Sequence, residues 1–308
     1  MQRHLNLLTI IIVGLIGVNA YVLIVSTRAD ARSAPLAFNA GQAFIVEPAR
    51  VNYLPILSGS SSVDLDAKAA VVYDFQADRN LFQKNINQKL PVASLTKIMT
   101  AVVAWEHLNP NEVVTVRPSA VKVDQEKQDL HSQETISVSN LMQLMLIKSS
   151  NDAAYALRDH AKIRNIDLVA AMNEKAAELG MINTRFTDPA GLDDEAYSTA
   201  ADMVKLVRYA LRYSAIWNFS REQTAVIVSA DGEFSREIKS TNQLLGVLSD
   251  IVGGKTGYTD RALGCMILVV TAPNDSSDKI ISIILGSRER FTDMKKLVDW
   301  ARIAYRWE

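Results

Sequence analysis

Apolar and polar positions change their rhythm several times along this 308-residue chain. An uncharged apolar stretch runs from Leu5 to Val25, with Arg3 before it and Arg28 after it. A bilayer-crossing helix needs about 20 residues and a secretory core only roughly 7 to 15, so residues 1–28 are expected to form a signal anchor. The small residues of "ADA" at Ala29 to Ala31 keep cleavage, and hence secretion, as the alternative. On either reading the remainder leaves the cytoplasm. Residues 29–66 are broken up by Pro, Ser and Gly, end in "LPILSGSSSVDLD", hold no period, and read as a linker.

A folded domain is expected over 67–308. Its first text, "AKAAVVYDFQADRNLFQKN", gives two short strands around a turn, a hairpin at a sheet edge. Helical spacing follows at Ser94 to His107, Val138 to Lys148, Asn151 to Lys162, Ile166 to Leu179 and Thr199 to Ser214. The last third returns to strands, "TAVIVS", "EFSREIKST", "ALGCMILVVTA" and "KIISIILGS", and closes on the amphipathic "RFTDMKKLVDWARIAYRW". This order predicts an α/β (α+β) domain. Its antiparallel sheet collects strands from both ends of the domain, with helices on its faces and a helical subdomain inserted between.

Composition narrows the chemistry. With 48% hydrophobic residues the chain can build a core, and a net charge of -1 with mixed signs gives nucleic acid no footprint. The single cysteine, Cys265, lies in an apolar run and is expected to be a buried small hydrophobe. His4, His107, His131 and His160 have no metal-ligand spacing, and no glycine-rich phosphate loop is present, so neither metal nor cofactor is expected.

Three short stretches could carry a reaction. In "KLPVASLTKIMT", Ser94 and Lys97 are three apart where an apolar helix opens, so they share one face. A serine is a weak nucleophile until a base activates it, and a lysine can be that base if burial and a nearby cation lower its pKa. Ser94 is also well placed to cap the helix, and the spacing recurs at Ser119–Lys122 and Ser276–Lys279 in polar text. In "LIKSSNDAAYAL", Ser149 and Asn151 sit in a turn between helices, a hydroxyl to relay a proton and an amide to grip a peptide. A helix cap is the plain alternative there, and Ser240–Asn242 is a look-alike. In "VGGKTGYTDRALGCMILVV", Lys255, Thr256 and Gly257 start a buried strand; a glycine lets a substrate backbone approach, and its neighbours offer a cation and a hydroxyl to a carboxylate. Read plainly it is a hairpin turn with a solvated lysine.

The ordered set S-x-x-K, S-x-N, K-T-G resembles the penicillin-recognising serine acyl-transferases. "VASLTKIMTA", "SSNDAA", "FTDPAGLDD" and "GGKTGYTDRA" look more closely like the low-molecular-mass D-alanyl-D-alanine carboxypeptidases of bacterial walls, over about Lys68 to Glu308. The resemblance implies a β-lactamase/transpeptidase-like fold and a bacterial envelope location. It makes Ser94 the acylated nucleophile, Lys97 its base and Ser149 the relay to the leaving D-alanine, helped by Lys255. Asn151 would orient the substrate amide, and the N–H groups of Ser94 and of Tyr258, the residue after the motif's Gly257, would form the oxyanion hole. Thr256 and an arginine, Arg290 with Arg288 as the rival, would hold the terminal carboxylate.

The partners implied are peptidoglycan stem peptides and β-lactams, with the membrane engaged through the N-terminal segment. Ser150 stands where the family usually has glycine and is expected to narrow the cleft. The sequence ends at Glu308 after the closing helix, where many relatives continue into a β-rich domain and a membrane helix, so anchoring is expected to fall to residues 1–28. Three other readings compete: a DD-endopeptidase, a β-lactamase and a non-catalytic wall-binding module. The β-lactamase reading lacks an E-x-x-L-N sequence after Asn151 to deacylate.

Overall fold

Strand β1 (Ile56–Leu57) is followed by the hairpin of β2 (Ala69–Asp74) and β3 (Arg79–Lys84). The helical block then runs through α1 (Thr96–His107), α2 (Pro118–Val121), α3 (Val138–Ile147), α4 (Asn151–Ile163), α5 (Leu168–Glu178), α6 (Ala200–Ala210) and α7 (Ser214–Ser220). Two short strands, β4 (Val113–Thr115) and β5 (Thr135–Ser137), pair inside it. The chain closes with β6 (Thr224–Val228), β7 (Ser235–Lys239), β8 (Ile251–Thr259), β9 (Leu263–Thr271), β10 (Lys279–Ser287), α8 (Arg290–Ala304) and β11 (Tyr305–Arg306). This computed structural model describes residues 56–58, 62–123, 128–273 and 275–307. The signal anchor expected at 1–28 and most of the linker lie outside the described residues, among which no helix is long and apolar enough to cross a membrane.

Five strands form the main sheet in the order β3-β2-β10-β9-β8, with every neighbouring pair antiparallel. The sheet therefore joins strands from both ends of the domain, as the sequence pattern predicts. Successive residues of a strand face opposite sides, and here both sides are covered. Ala69, Val71, Ile267, Val269, Ile281 and Ile283 pack toward the helical block. Ala70, Val72, Met266, Leu268, Ile280 and Ile284 pack against Met294, Leu297, Val298 and Ala301 of α8. Double coverage explains why these strands read as unbroken apolar runs. Helix α1 is buried from Thr96 to Ala104, so it forms the centre of the helical layer.

Four expectations change. The single helix expected to Ser214 stops at Ala210, whose carbonyl accepts the Trp217 indole N–H at 2.9 Å while α7 starts in a new direction. β6 and β7 pair only with each other; Ile227 and Ile238 are buried but Val226 and Val228 are exposed, a pattern for a sheet covered on one face. The K-T-G triplet belongs to its own edge strand, β8, because Thr259 Oγ1 accepts the Ala262 N–H at 3.0 Å and closes a turn before β9. The end of the linker is built into the domain: Ile56 and Leu57 pair with β11, Leu65 is buried, and the Asp66 and Ala67 N–H groups donate to Asp293.

Candidate active site

Ser94 lies in a single 3₁₀ turn, Ala93–Leu95, which leads directly into α1. The expected capping role is not taken up, since neither the turn nor α1 has a side-chain cap and the Ser94 hydroxyl is directed elsewhere. It sits 2.8 Å from Lys97 Nζ, one turn on and fully buried. Ala93, just before the serine, has φ +47°, a region costly for a residue with a Cβ. Strand β8 presses on the same turn: a Cβ on Gly257 would meet Ser94 N at 2.9 Å and Val92 O at 3.1 Å, so only glycine lets strand and turn lie together.

The turn between α3 and α4 delivers two further groups. Ser150 caps α4, its hydroxyl accepting the Ala153 N–H at 3.3 Å, and is buried. The Ser150 side chain is thus taken up by a helix start. Ser149, at φ +66°, and Asn151 flank it and reach the other way. Asn151 Oδ1 is 2.8 Å from Lys97 Nζ, and Ser149 Oγ is 2.7 Å from Lys255 Nζ.

Lys255 completes the cluster from β8. It is buried, donates to the Thr256 carbonyl at 2.8 Å, and its ammonium form is strongly disfavoured, first by desolvation and then by the charges of Lys97 and Arg290. Thr256 Oγ1 lies 2.6 Å from Thr241 Oγ1. Tyr258 is exposed at the rim, with the Arg290 guanidinium 5.8 Å from its ring centroid. Burial lowers the Arg290 pKa, and its buried Nε has no hydrogen-bond partner among the described residues. Arg288 goes elsewhere: its side chain is 77% exposed and ion-paired with Asp66 at 2.5 Å. Two of the three look-alike motifs are also accounted for. Ser119 Oγ donates to Asp159 at 2.5 Å, and Ser240 Oγ accepts the Asn242 N–H at 3.2 Å in a turn.

The "FTDPAGLDD" loop that follows α5 enters the sequence reading only as part of the resemblance, with no role assigned to it. Ala190 presents its carbonyl 2.9 Å from Lys97 Nζ, and Asp188 folds the loop around its own carboxylate. The "DPAG" text marks a turn, but nothing in it says that a carbonyl will meet a buried lysine. Thr241 was missed because it lies inside a look-alike, Ser240–Asn242.

A family model described as D-alanyl-D-alanine carboxypeptidase matches residues 57–289. A D-alanyl-D-alanine carboxypeptidase of Bacillus subtilis is 29% identical over 256 residues, 80% of this chain and 64% of that protein. A D-alanyl-D-alanine endopeptidase of Haemophilus influenzae is 36% identical over 199 residues, 64% of this chain and 68% of that protein. A solved penicillin-binding protein of Listeria monocytogenes in its ampicillin-bound form shares the fold, with a TM-score of 0.67 and 30% identity over 79% of this chain and 99% of that one. Match and architecture agree, and the chain belongs to the D-alanyl-D-alanine carboxypeptidase family of serine peptidases.

Proposed function

We propose that the protein is a serine-type D-alanyl-D-alanine carboxypeptidase that trims the terminal D-alanine from peptidoglycan stem peptides. The observation that carries this reading is two polar groups within electrostatic reach of each other: Lys97 Nζ lies 2.8 Å from both Ser94 Oγ and Asn151 Oδ1, and Lys255 Nζ 2.7 Å from Ser149 Oγ. Ser94 Oγ attacks the carbonyl of the penultimate D-alanine as its proton passes to Lys97, and the N–H groups of Ser94 and Tyr258 receive the oxyanion. The C–N bond breaks as the proton taken up by Lys97 is relayed through Ser149, in contact with Lys255, to the leaving amine, which returns Lys97 to its neutral form. Water then attacks the acyl-enzyme as it gives a proton to Lys97, and Lys97 passes that proton to Ser94 Oγ as the acyl–oxygen bond breaks. Thr256 and Arg290 hold the terminal carboxylate, a role supported by an Arg290 Nε that has no hydrogen-bond partner among the described residues.

The same reading makes the protein a β-lactam target. With no deacylating glutamate motif the adduct on Ser94 is long-lived, unlike that of a class A β-lactamase. Residues 1–28 anchor the protein in the inner membrane with the domain outside the cytoplasm. Incubating the full chain with labelled penicillin and with a peptide ending in D-Ala-D-Ala tests the proposal. One labelled serine, Ser94, and released D-alanine are expected; no adduct together with no release would sink it.

A second reading, DD-endopeptidase action on cross-links, is favoured by the name of the 36% identical relative. Turnover of cross-linked muropeptides against monomeric pentapeptides decides between them. A non-catalytic wall-binding module would give cells with Ser94→Ala that behave like wild type while a deletion does not.

A further inference from the structure

Lys97 faces two carbonyl oxygens as well as the serine. Asn151 Oδ1 lies 2.8 Å and Ala190 O 2.9 Å from Nζ, and the Ser94 hydroxyl lies 2.8 Å away. A neutral amine has two N–H groups and one lone pair. If the two carbonyls take both N–H groups, the lone pair is left pointing at the hydroxyl, which is the orientation a base needs. The direction of that lone pair therefore depends on where the Ala190 carbonyl is held.

That carbonyl belongs to a loop wound around one carboxylate. Asp188 Oδ1 accepts the N–H groups of Ala190 and Gly191 at 2.6 and 2.7 Å, and Oδ2 those of Leu192 and Asp193 at 3.0 and 2.8 Å. The loop is tied to α1, the helix that carries Lys97, since Thr100 Oγ1 donates to Pro189 O at 2.7 Å. It also fits against the nucleophile turn. Gly191 has φ +76°, and a Cβ there would fall 1.9 Å from Ala93 O and 2.7 Å from Thr96 Oγ1. No backbone carbonyl could be aimed this way by an unrestrained loop, because turn residues without such ties sample several conformations.

We infer that Asp188 is a positioning residue for the base: by gathering four backbone N–H groups it fixes the Ala190 carbonyl on Lys97 Nζ and so aims the lysine at Ser94. The inference rests on the acyl-transfer reading of Ser94 and Lys97. Asp188 touches neither substrate nor Ser94 in this scheme, so its effect belongs to the acylation rate and not to substrate binding.

The test compares wild type, Asp188→Asn and Thr100→Val in the full chain. It measures the acylation rate by labelled penicillin per acylatable enzyme, the pH dependence of that rate, and the KM for a D-Ala-D-Ala peptide. Asparagine keeps one acceptor oxygen but cannot accept from Leu192 and Asp193, so the loop loosens. The plateau rate is expected to fall about 10- to 100-fold, the range of losses from misaimed catalytic groups, with KM within about twofold. The acid limb is expected to move down, because the Lys97 ammonium loses both a carbonyl acceptor and the nearby Asp188 charge; Thr100→Val, which changes no charge, separates the two causes. Thr100→Val removes the 2.7 Å tie to Pro189, together with the longer contacts of the same hydroxyl to Thr96 O at 3.4 Å and Met172 Sδ at 3.6 Å, leaves Asp188 in place, and should move rate and limb in the same direction by less. Should Asp188→Asn fail to fold, Thr100→Val carries the test.

A rate per acylatable enzyme and a limb both equal to wild type in the folded variants would overturn the inference and leave Asp188 a purely structural residue. Failure of wild type itself to be acylated would instead refute the acyl-transfer reading.

Discussion

On the edge strand β8, Lys255 is buried within the electrostatic reach of Lys97 and Arg290; across the sheet, where β2 ends and β10 begins, Asp74 and Asp278 are buried together. Each place packs groups of like charge out of water, and each avoids the cost by moving a proton. The Lys255 ammonium is disfavoured by burial and its neighbours, whereas the Asp278 carboxyl is pushed up to about 6, by burial first and then by Asp74. A shifted pKa is thus common to both and does not by itself mark a functional site. The differences lie in the neighbours. The lysines face two serine hydroxyls and an amide. The aspartates face backbone N–H groups of the turns, with Asp74 Oδ1 accepting from Ala77 at 2.8 Å and Asp278 Oδ1 from Gln76 at 3.1 Å. The first arrangement can pass a proton to a substrate, and the second closes turns.

The two places also push stability in opposite directions with pH. For Lys255 the unfolded chain keeps its proton up to about 10.5 while the native state gives it up well below that, so its contribution improves as pH rises through this window. For Asp278 the native state keeps the proton longer, so its contribution is lost as pH rises from 3.8 to about 6.

The comparison breaks most sharply at the nucleophile. Ser94→Ala is expected to abolish covalent labelling by penicillin while changing stability by about 0.5 kcal/mol or less, read by intact mass and by thermal unfolding. Lys255→Met should lower the acylation rate about 10²- to 10⁴-fold yet raise stability at pH 7 by about 1–2 kcal/mol, because a buried group poised for function is replaced by one that is simply packed. Destabilisation by that substitution would mean the lysine is structural after all. Arg290→Ala should raise KM for a D-Ala-D-Ala peptide by roughly 1.5–3 kcal/mol in binding terms, while Arg288→Ala, which loses only its surface pair with Asp66, should leave KM essentially unchanged. The smallest effect is expected across the sheet. Asp278→Asn should leave acylation untouched and stabilise the protein at pH 8 by about 1 kcal/mol, allowing for solvent screening, flattening the fall between pH 4 and 6.

Much of the scaffold was legible before any contact was known. The doubly covered strands show as unbroken apolar runs, and the β2–β3 hairpin and α8 follow directly from turn residues and helical period. The errors occurred where a local pattern has two physical outcomes. β6 and β7 have strand periodicity whichever sheet they join; that they pair only with each other, leaving Val226 and Val228 exposed, is settled by the tertiary structure. Ser94 and Ser150 both suit a helix start, yet only Ser150 caps one.

The sequence by itself determined which segments become strands and helices and which side chains share a helix face, Ser94 with Lys97 above all, because those relations depend on backbone geometry between near neighbours. It could not tell that Arg288 would pair with Asp66, that Lys255 would face Ser149, or that a loop carbonyl would meet Lys97. Those facts depend on groups 222, 106 and 93 residues apart along the chain being brought within hydrogen-bond reach. Desolvation and charge proximity, which turn a lysine from a surface cation into a base, exist only once that packing is complete.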